Sequence, residues 1–321
     1  MKHPPYFLRF NKSADRFAMI EAIRHLSKLG CNFEDYTYHS LGGPFLEDFR
    51  LMYEYFPEMR FISIEADADT IKRQKFHKPC KKVVLTHTDM KSFINQYEPR
   101  DKKSIFWLDY TGLELSHFEE FKSLLEKIAT GSMIKITVSA DVRDYAKGNE
   151  QEKQKFADEF RAKFRKLLPN PVAPIPWKKD EFAYLVQHML KIAAEQSLPA
   201  ASSPVVFQPV SSFYYSDGTC MLTLTGIVWN RDDVKSIFTA YRHWEFVNTT
   251  WSMPCLIEIP VLTNKERLKL QPLLPCAHQK GQTLLTKLGY LVDNNNSNSS
   301  IALEQYALFH RYSPYFMQGF P

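Results

Sequence analysis

The sequence predicts an α/β fold, a mostly parallel sheet with helices on both of its faces. Strand-like and helix-like segments alternate five times at short spacing over the first 140 residues. One strand, SIFWLDY, is an almost continuous apolar run, which is typical of a parallel strand that is buried on both faces. The chain of 321 residues is long enough for one large α/β domain and a smaller element.

The elements of this first part follow one another in a regular order. Its first and last helices are predicted over residues 13–30 and 116–131, and Gly30 and Gly131 are expected to end them. The strand DYTYHSL follows the first of these helices. The remaining elements alternate, with helices at 44–56, 68–77 and 90–97 and strands at 60–66, 81–89, 104–110 and 132–140.

The rhythm changes in the second part of the chain. Two helices, 150–168 and 180–196, flank a proline-rich linker, PNPVAPIPW. The β-rich runs 203–216 and 220–229 are joined at Asp217-Gly218, so they predict an antiparallel hairpin at the end of the sheet. The later elements are predicted as helices at 231–241, 263–272, 280–289 and 302–316 and a polar loop at 294–300. We therefore divide the chain into an α/β domain, 1–230, and a small, mainly helical or winged-helix-like C-terminal region, 231–321.

Composition excludes several classes of protein. The apolar fraction of 44% and the charged fraction of 24% are those of an ordinary globular protein. Five cysteines occur without CxxC or close Cys/His spacing, which argues against a zinc site and a disulfide framework. No apolar segment is long enough for a signal peptide or a membrane span. We expect a cytoplasmic protein with reduced thiols and no membrane partner.

Positive charge is concentrated in one segment. Residues 147–179 hold nine basic and four acidic groups, and this difference equals the net charge of +5 for the whole chain. Arg161, Lys163 and Arg165 of this segment are candidate contacts to the phosphates of RNA or DNA. The alternative is an ordinary solvated helix face.

Two more basic residues, Arg9 and Lys12, precede the first predicted helix. They are candidates for binding a phosphate or a cofactor carboxylate. The alternative is that this stretch caps the helix at the protein surface.

A glycine turn follows the first strand. The strand ends at Ser40 and Leu41, and Gly42 and Gly43 then allow the backbone to approach a ligand closely. In open α/β sheets, ligands bind at the carboxyl ends of the strands. Neither G-x-G-x-x-G nor the P-loop G-K-[ST] is present, so a pyrophosphate ligand and an NAD-dependent dehydrogenase are disfavoured.

Acidic residues end the next three strands. Glu65 ends the second strand and can accept hydrogen bonds from ribose hydroxyls. Asp89 follows the third strand, where it could accept a hydrogen bond from the amino group of adenine while Met90 packs on the adenine ring. Asp109 and Tyr110 end the fourth strand at the same edge of the sheet. The alternative is that these acids are ordinary strand ends and helix caps.

This arrangement resembles the class I S-adenosylmethionine-dependent methyltransferases, over residues 15–230. The resemblance implies a Rossmann-like sheet that ends in an antiparallel hairpin, with S-adenosylmethionine as the cofactor. The residues that it assigns to the cofactor are His39, Ser40, Gly42, Gly43, Glu65, Asp89 and Met90. The family's usual turn is E/D-x-G-x-G-x-G, whereas here Tyr38 or His39 takes the place of the acid and two glycines stand alone.

The segment LDYTG at the end of the fourth strand is similar to the D-P-[FY]-G of tRNA guanine-N2 dimethyltransferases and of three-Cys-motif partner proteins, although it lacks their proline. The resemblance implies that Asp109 accepts a hydrogen bond from an exocyclic amine and that Tyr110 stacks on a base. The alternative is a Tyr110 that belongs to the core. Two hypotheses follow. One is a methyltransferase with RNA or DNA as candidate acceptor. The other is an inactive methyltransferase fold that binds nucleic acid or a protein partner. A homo-oligomer is compatible with both.

Overall fold

The computed structural model describes residues 9–99, 102–169, 174–275 and 281–312. Its helices are α1 (Phe10–Arg24), α2 (Glu47–Tyr55), α3 (Ala68–His77), α4 (Met90–Gln96), α5 (Leu115–Lys127), α6 (Arg143–Ala146), α7 (Glu150–Phe164), α8 (Lys179–Ser197), α9 (Val234–Tyr241), α10 (Asn264–Leu270), α11 (Gly281–Leu288) and α12 (Asn296–Phe309). Its strands are β1 (Tyr36–Ser40), β2 (Arg60–Glu65), β3 (Val83–His87), β4 (Lys103–Asp109), β5 (Met133–Ser139), β6 (Val205–Ser216), β7 (Cys220–Asn230) and β8 (Cys255–Ile257).

The strands form one sheet in the order β3-β2-β1-β4-β5-β7-β6-β8. Strands β1 to β5 pair in parallel, and β7 runs antiparallel to β5. This topology confirms the predicted α/β class, with a mostly parallel sheet that ends in an antiparallel hairpin.

Helices lie on both faces of the sheet, as neighbouring residues of β2 show. The Ser63 hydroxyl donates to Gln74 of α3, whereas the next residue, Ile64, belongs to the apolar core that includes α4, α5 and α8. Side chains alternate along a strand, so the two contacts are on opposite faces. Phe106 and Leu108 of β4 are fully buried in the same core, and each such side chain stabilises the fold by about 1.5–3 kcal/mol.

The described chain forms two compact units. The larger comprises residues 19–214 and 219–255, and the smaller comprises 9–18, 215–218 and 256–312, each within the described ranges. The sequence-based division at residue 230 follows a change of pattern rather than compactness, and it stays a prediction.

The smaller unit is joined by hydrogen bonds between its three segments. The amide nitrogen of Asn11 lies 3.0 Å from Asp217 Oδ1, and its amide oxygen accepts the backbone N–H of Ile259 at 2.9 Å. The backbone N–H of Lys12 donates to the other carboxylate oxygen of Asp217 at 2.9 Å. Leucines of α10, α11 and α12 form an apolar cluster of their own in this unit.

Several predicted boundaries were wrong. Helix α1 begins at Phe10 and continues as a 3-10 helix to Leu29, and α5 ends at Lys127 rather than at Gly131. The predicted polar loop at 294–300 contains the start of α12, because the Asn295 side chain caps the helix by accepting the N–H of Asn298. The short elements α6 and β8 were not predicted.

No helix in the described part of the chain is long and apolar enough to cross a membrane. Nor do the described residues include a cluster of three or more His, Cys, Asp or Glu side chains placed to hold a metal ion.

Candidate functional site

The glycine turn connects β1 to α2 through left-handed backbone. Gly42 and Gly43 have φ of 68° and 54°, a region that favours glycine. The N–H of Gly43 donates to Leu41 at 2.8 Å, and the N–H of Leu46 donates to Gly42 at 3.1 Å. A Cβ on Gly42 would lie 2.7 Å from Leu46 Cδ2, 2.8 Å from Phe49 Cε2 and 3.0 Å from Ser63 Oγ. The inner side of the turn is therefore closed.

The helix after the turn starts later than predicted. The sequence predicted a helix from 44 with Pro44 in its first turn, whereas α2 begins at Glu47. Leu46, the residue before the helix, has φ of 52° and is fully buried. The extra residues form a longer turn, because the left-handed backbone at 42, 43 and 46 cannot be part of an α-helix.

A tyrosine and an aspartate together supply an acid near the start of the turn. Tyr38 of β1 is fully buried, and its hydroxyl donates to Asp48 Oδ2 of α2 at 2.7 Å. Burial and the Asp48 carboxylate raise the pKa of the Tyr38 phenol well above its usual range. The sequence showed only a tyrosine at this position, because the carboxylate comes from the next helix.

Glu65 and Asp109 flank the turn at matching positions. Ser40, the last residue of β1, is in register with Ser63 on one side and with Trp107 on the other. Glu65 and Asp109 each lie two residues beyond these partners, so both belong to the face of the sheet that carries Ser40. Their backbones are about 10 Å apart, two strand spacings. Partly exposed Glu65 and Asp109 thus stand on either side of the turn.

The Glu65 carboxylate is half-buried. Its Oε1 accepts the backbone N–H of Asp67 at 2.8 Å. Burial raises the pKa of Glu65 above its ordinary value, although this hydrogen bond opposes the shift. A carboxylate has about four lone-pair positions, so Glu65 retains the capacity to accept hydroxyl groups of a ligand.

Asp89 and Met90 lie at the start of α4. Asp89 is exposed and caps the helix, since its two carboxylate oxygens accept the backbone N–H and the hydroxyl of Ser92, each at 2.8 Å. These hydrogen bonds lower the pKa of Asp89. Met90 is 5% exposed and belongs to the core. The pair therefore has structural contacts, whatever ligand it also meets.

Tyr110 packs against α5. Its ring is stacked on His117, with 4.0 Å between ring centroids and 5° between planes. Its hydroxyl donates to Glu120 Oε2 at 2.5 Å, and the residue is only 8% exposed. One face of the ring is covered, so this geometry favours the alternative of a core tyrosine over a base-stacking platform.

His39 lies on the other face of the sheet. Its ring stacks on Phe106 at 4.2 Å and 5°, it also meets Phe93 and Tyr97, and it is 3% exposed. Burial lowers the pKa of His39 to about 3. The structure does not bring His39 together with Glu65 and Asp109, because adjacent strand residues face opposite sides.

We expect the buried His39 to make stability fall in acid. The histidine is neutral in the folded state, so its contribution is complete above the unfolded pKa of about 6.5 and is lost as the pH falls below it, by about 1.4 kcal/mol per pH unit. Urea unfolding of the wild type and of His39→Phe at pH 7.5, 6.0, 5.0 and 4.5 measures this. The wild type should lose about 2–3 kcal/mol more than the variant by pH 4.5. Parallel curves for the two proteins would contradict the prediction.

A cavity of about 320 Å³ lies beyond the carboxyl ends of β4 and β5. The backbone N–H of Ser139 donates to Gly112 at 3.1 Å and ties the loop after Asp109 to the end of β5. The cavity is lined by four phenylalanines, by three carboxylates and by one lysine (Phe156, Phe160, Phe164, Phe182, Glu114, Asp141, Glu159 and Lys163), with Leu113 and Ser139 completing it. Each carboxylate is paired with a cation, Glu114 with Lys163, Asp141 with Arg143 and Glu159 with Lys155. The surface therefore suits a planar apolar group that carries hydrogen-bond donors.

The basic residues of α7 are largely paired. Arg161 contacts Asp158 at 3.2 Å, and Lys163 contacts Glu114 at 2.5 Å at the edge of the cavity. Arg165, at the end of α7, is exposed. Of the three predicted phosphate contacts, the structure therefore brings Lys163 to the cavity. Arg9 and Lys12 belong to the smaller unit.

Sequence reasoning missed Gln74 of α3. This side chain is fully buried and hydrogen-bonds the carbonyls of Leu41 and Gly43 in the glycine turn. Nothing in ADTIKRQKFH distinguishes it from an exposed helix residue, since polar residues surround it.

Comparisons with known proteins identify a family for this chain. A family model described as "Putative O-methyltransferase" matches residues 4–320 of the chain. No curated protein matches the chain. Similar solved structures include Trm1 from Pyrococcus horikoshii with S-adenosyl-L-methionine, at 11% identity and a TM-score of 0.47, which covers 70% of this chain and 57% of that one.

Two further structures are TYW2 from P. horikoshii in complex with MeSAdo and an O-methyltransferase family protein from Burkholderia thailandensis. The first is 12% identical, with a TM-score of 0.36 and coverage of 64% of this chain and 61% of that one. The second is 11% identical, with a TM-score of 0.32 and coverage of 67% and 59%. The chain spans less than two thirds of each of these three proteins.

Proposed function

Because the chain belongs to this family of methyltransferases, we propose that it transfers the methyl group of S-adenosylmethionine to an acceptor held beyond the ends of β4 and β5. The observation that carries the proposal is the placement of Glu65 and Asp109 at matching positions on either side of the glycine turn. The cofactor, when bound, supplies an electrophilic methyl group. The protein positions the two reactants and supplies Asp109 to take a hydrogen bond or a proton from the acceptor.

The residues at the strand ends fit an adenosyl ligand. The tight turn at Gly42 and Gly43 offers backbone rather than side chains to the ligand. Glu65 accepts the ribose hydroxyls on one side of the turn, and Asp89 faces the adenine end at the start of α4. Asp109, on the other side, lies next to the acceptor and takes a hydrogen bond or a proton from its nucleophilic group.

We expect Glu65→Ala to weaken S-adenosylmethionine binding about ten- to hundredfold, because hydrogen bonds to a charged group contribute about 1.5–3 kcal/mol. Calorimetric titration of wild type and variant with S-adenosylmethionine and S-adenosylhomocysteine measures the loss. Glu54→Ala, an exposed acid on α2, is the matched control and should bind like the wild type. Equal affinities for Glu65→Ala and Glu54→Ala would contradict the role of Glu65.

We propose a nucleobase as the acceptor group. The support is the similarity of LDYTG to the D-P-[FY]-G of tRNA guanine-N2 dimethyltransferases, the aromatic cavity next to it, and the exposed Arg165 and Lys166 just after α7. The aromatic lining of the cavity would admit the uncharged base, while these two cations would meet phosphates outside it. The reduced cysteines expected from the sequence fit a cytoplasmic enzyme of this kind.

The acceptor is tested with S-adenosylmethionine labelled in its methyl group. The protein is incubated with total RNA, single-stranded DNA, duplex DNA and a panel of small phenols. We expect incorporation into nucleic acid that falls with added salt, because phosphate contacts release counterions. Label in a phenol alone would replace the nucleobase with a small aromatic acceptor.

The two-glycine turn favours a second candidate, a methyltransferase fold that binds a partner without turnover. One measurement distinguishes this candidate from the first. If the wild type binds neither S-adenosylmethionine nor S-adenosylhomocysteine in the titration above, the second candidate replaces the first.

A further inference from the structure

The side chain of Gln74 hydrogen-bonds the glycine turn and β2. Its amide nitrogen donates to the carbonyl of Leu41 at 3.2 Å and to that of Gly43 at 2.9 Å. Its amide oxygen accepts the Ser63 hydroxyl at 3.1 Å. The side chain is fully buried, and both of its N–H groups donate a hydrogen bond. These bonds fix the orientation of the carboxamide.

The orientation of these carbonyls determines what the turn presents on its other side. In a trans peptide the C=O of one residue and the N–H of the next point in opposite directions. The Leu41 carbonyl points to Gln74, so the N–H of Gly42 points away from α3. The Gly43 carbonyl belongs to the peptide bond with Pro44, and this peptide bond carries no N–H. The carboxamide thereby selects Gly42 as the backbone donor directed away from α3.

We infer that Gln74 is a positioning residue of the cofactor site, which holds the glycine turn in the conformation that receives the adenosyl ligand. The turn of the family that this chain resembles, E/D-x-G-x-G-x-G, has three glycines. Here the bond pattern of Gln74 and Ser63 fixes a turn that has only two glycines. The inference rests on the proposed function, because it assumes that the turn meets S-adenosylmethionine.

The first test is Gln74→Glu. The ionised carboxylate keeps the hydrogen bond from Ser63 but places a negative charge against the carbonyls of Leu41 and Gly43. The protonated acid restores one donor. We expect the ratio of the variant's Kd for S-adenosylmethionine to the wild type's Kd to rise at least about tenfold between pH 6 and pH 9, since a buried carboxyl titrates above its usual range. Using the ratio cancels the titration of Glu65, which both proteins share.

The second variant, Gln74→Leu, removes both donors without adding a charge. We expect its affinity to be weaker by about tenfold at every pH, because the carbonyls of Leu41 and Gly43 lose the N–H groups of Gln74 that orient them. If the ratio of this variant's Kd to the wild type's Kd does not change with pH, the pH dependence of Gln74→Glu is due to the introduced carboxyl.

The chain contains a matched control in Gln187 of α8. This glutamine is also fully buried, and its amide nitrogen donates to two backbone carbonyls, those of Trp251 at 3.1 Å and Ser252 at 2.8 Å. Gln187→Glu should lower the melting temperature as Gln74→Glu does, but leave the Kd for S-adenosylmethionine within about twofold of the wild type.

The outcomes separate the inference from the proposed function. Equal losses of affinity for the Gln74 and Gln187 variants, or unchanged affinity in Gln74→Leu, would overturn the positioning role. If the wild type itself does not bind S-adenosylmethionine, the proposed function fails, and the positioning role fails with it. In that case, hydrogen exchange at the amides of Gly43 and Leu46 tests separately whether Gln74 fixes the conformation of the turn. If it does, these amides exchange faster in Gln74→Leu than in Gln187→Leu.

Discussion

Replacing Gly42 with alanine is expected to destabilise the protein by about 2–5 kcal/mol, the sum of left-handed backbone strain and overpacking, and to abolish binding of S-adenosylmethionine. The added methyl group would lie within 3.0 Å of Leu46, Phe49 and Ser63. Leu46 and Phe49 are fully buried, so neither side chain can turn outward. The turn itself must move, and the cofactor contacts move with it.

Gly30→Ala is the matched control for Gly42→Ala. Gly30 has φ of 73°, close to the 68° of Gly42, but an added Cβ at Gly30 has nothing within 4 Å. This variant carries the backbone strain alone, which costs about 1–2 kcal/mol. Urea unfolding and calorimetric titration of both variants separate strain from overpacking. Similar stability and normal cofactor affinity in the two variants would show that the turn is not closed.

Replacing Asp109 with asparagine is expected to reduce methyl transfer by about 10²–10⁴-fold, the typical contribution of a positioned acid or base. Asparagine has nearly the same shape, but its amide cannot take a proton, and it removes the negative charge from the side of the turn that we propose for the acceptor. Asp109 lies across β1 from Glu65, so the affinity for S-adenosylmethionine should change by no more than about threefold, within the loss of one neutral hydrogen bond.

Single-turnover transfer of labelled methyl groups, with binding measured in parallel, tests the role of Asp109. Asp69→Asn, an exposed residue of α3, is the control and should transfer at the wild-type rate. Full turnover by Asp109→Asn would refute the role. A parallel loss of cofactor binding would move Asp109 from the acceptor side to the cofactor side.

Local signals predicted those elements whose ends are set by their own residues. Helix α3 has the predicted bounds 68–77, because the Asp67 side chain caps it by accepting the N–H of Thr70. The start of α12 was missed because a run of Asn and Ser has the composition of a loop, and only the geometry of Asn295 turns it into a cap. In sequence, a polar residue that caps a helix cannot be distinguished from a polar residue in a loop.

The candidate site divides in the same way. The sequence shows an acid at or just after the end of each of β2, β3 and β4, and the register of the sheet places Glu65 and Asp109 beside the turn. Strand alternation alone separates His39 from Ser40, since neighbours face opposite sides. The contacts of Tyr110 with His117 and Glu120 and those of Gln74 with the turn depend on how helices pack, which no local pattern encodes.

The three-segment construction of the smaller unit has a consequence for how the protein is made. Asn11 and its partner Ile259 are 248 residues apart in the chain. Synthesis proceeds from the N-terminus at about 5–20 residues per second, so Asn11 waits on the order of ten seconds or more for this partner to leave the ribosome. The strands β1 to β5 contain all of their parallel pairings by residue 139. The sheet can therefore begin to assemble during translation, while the smaller unit closes last.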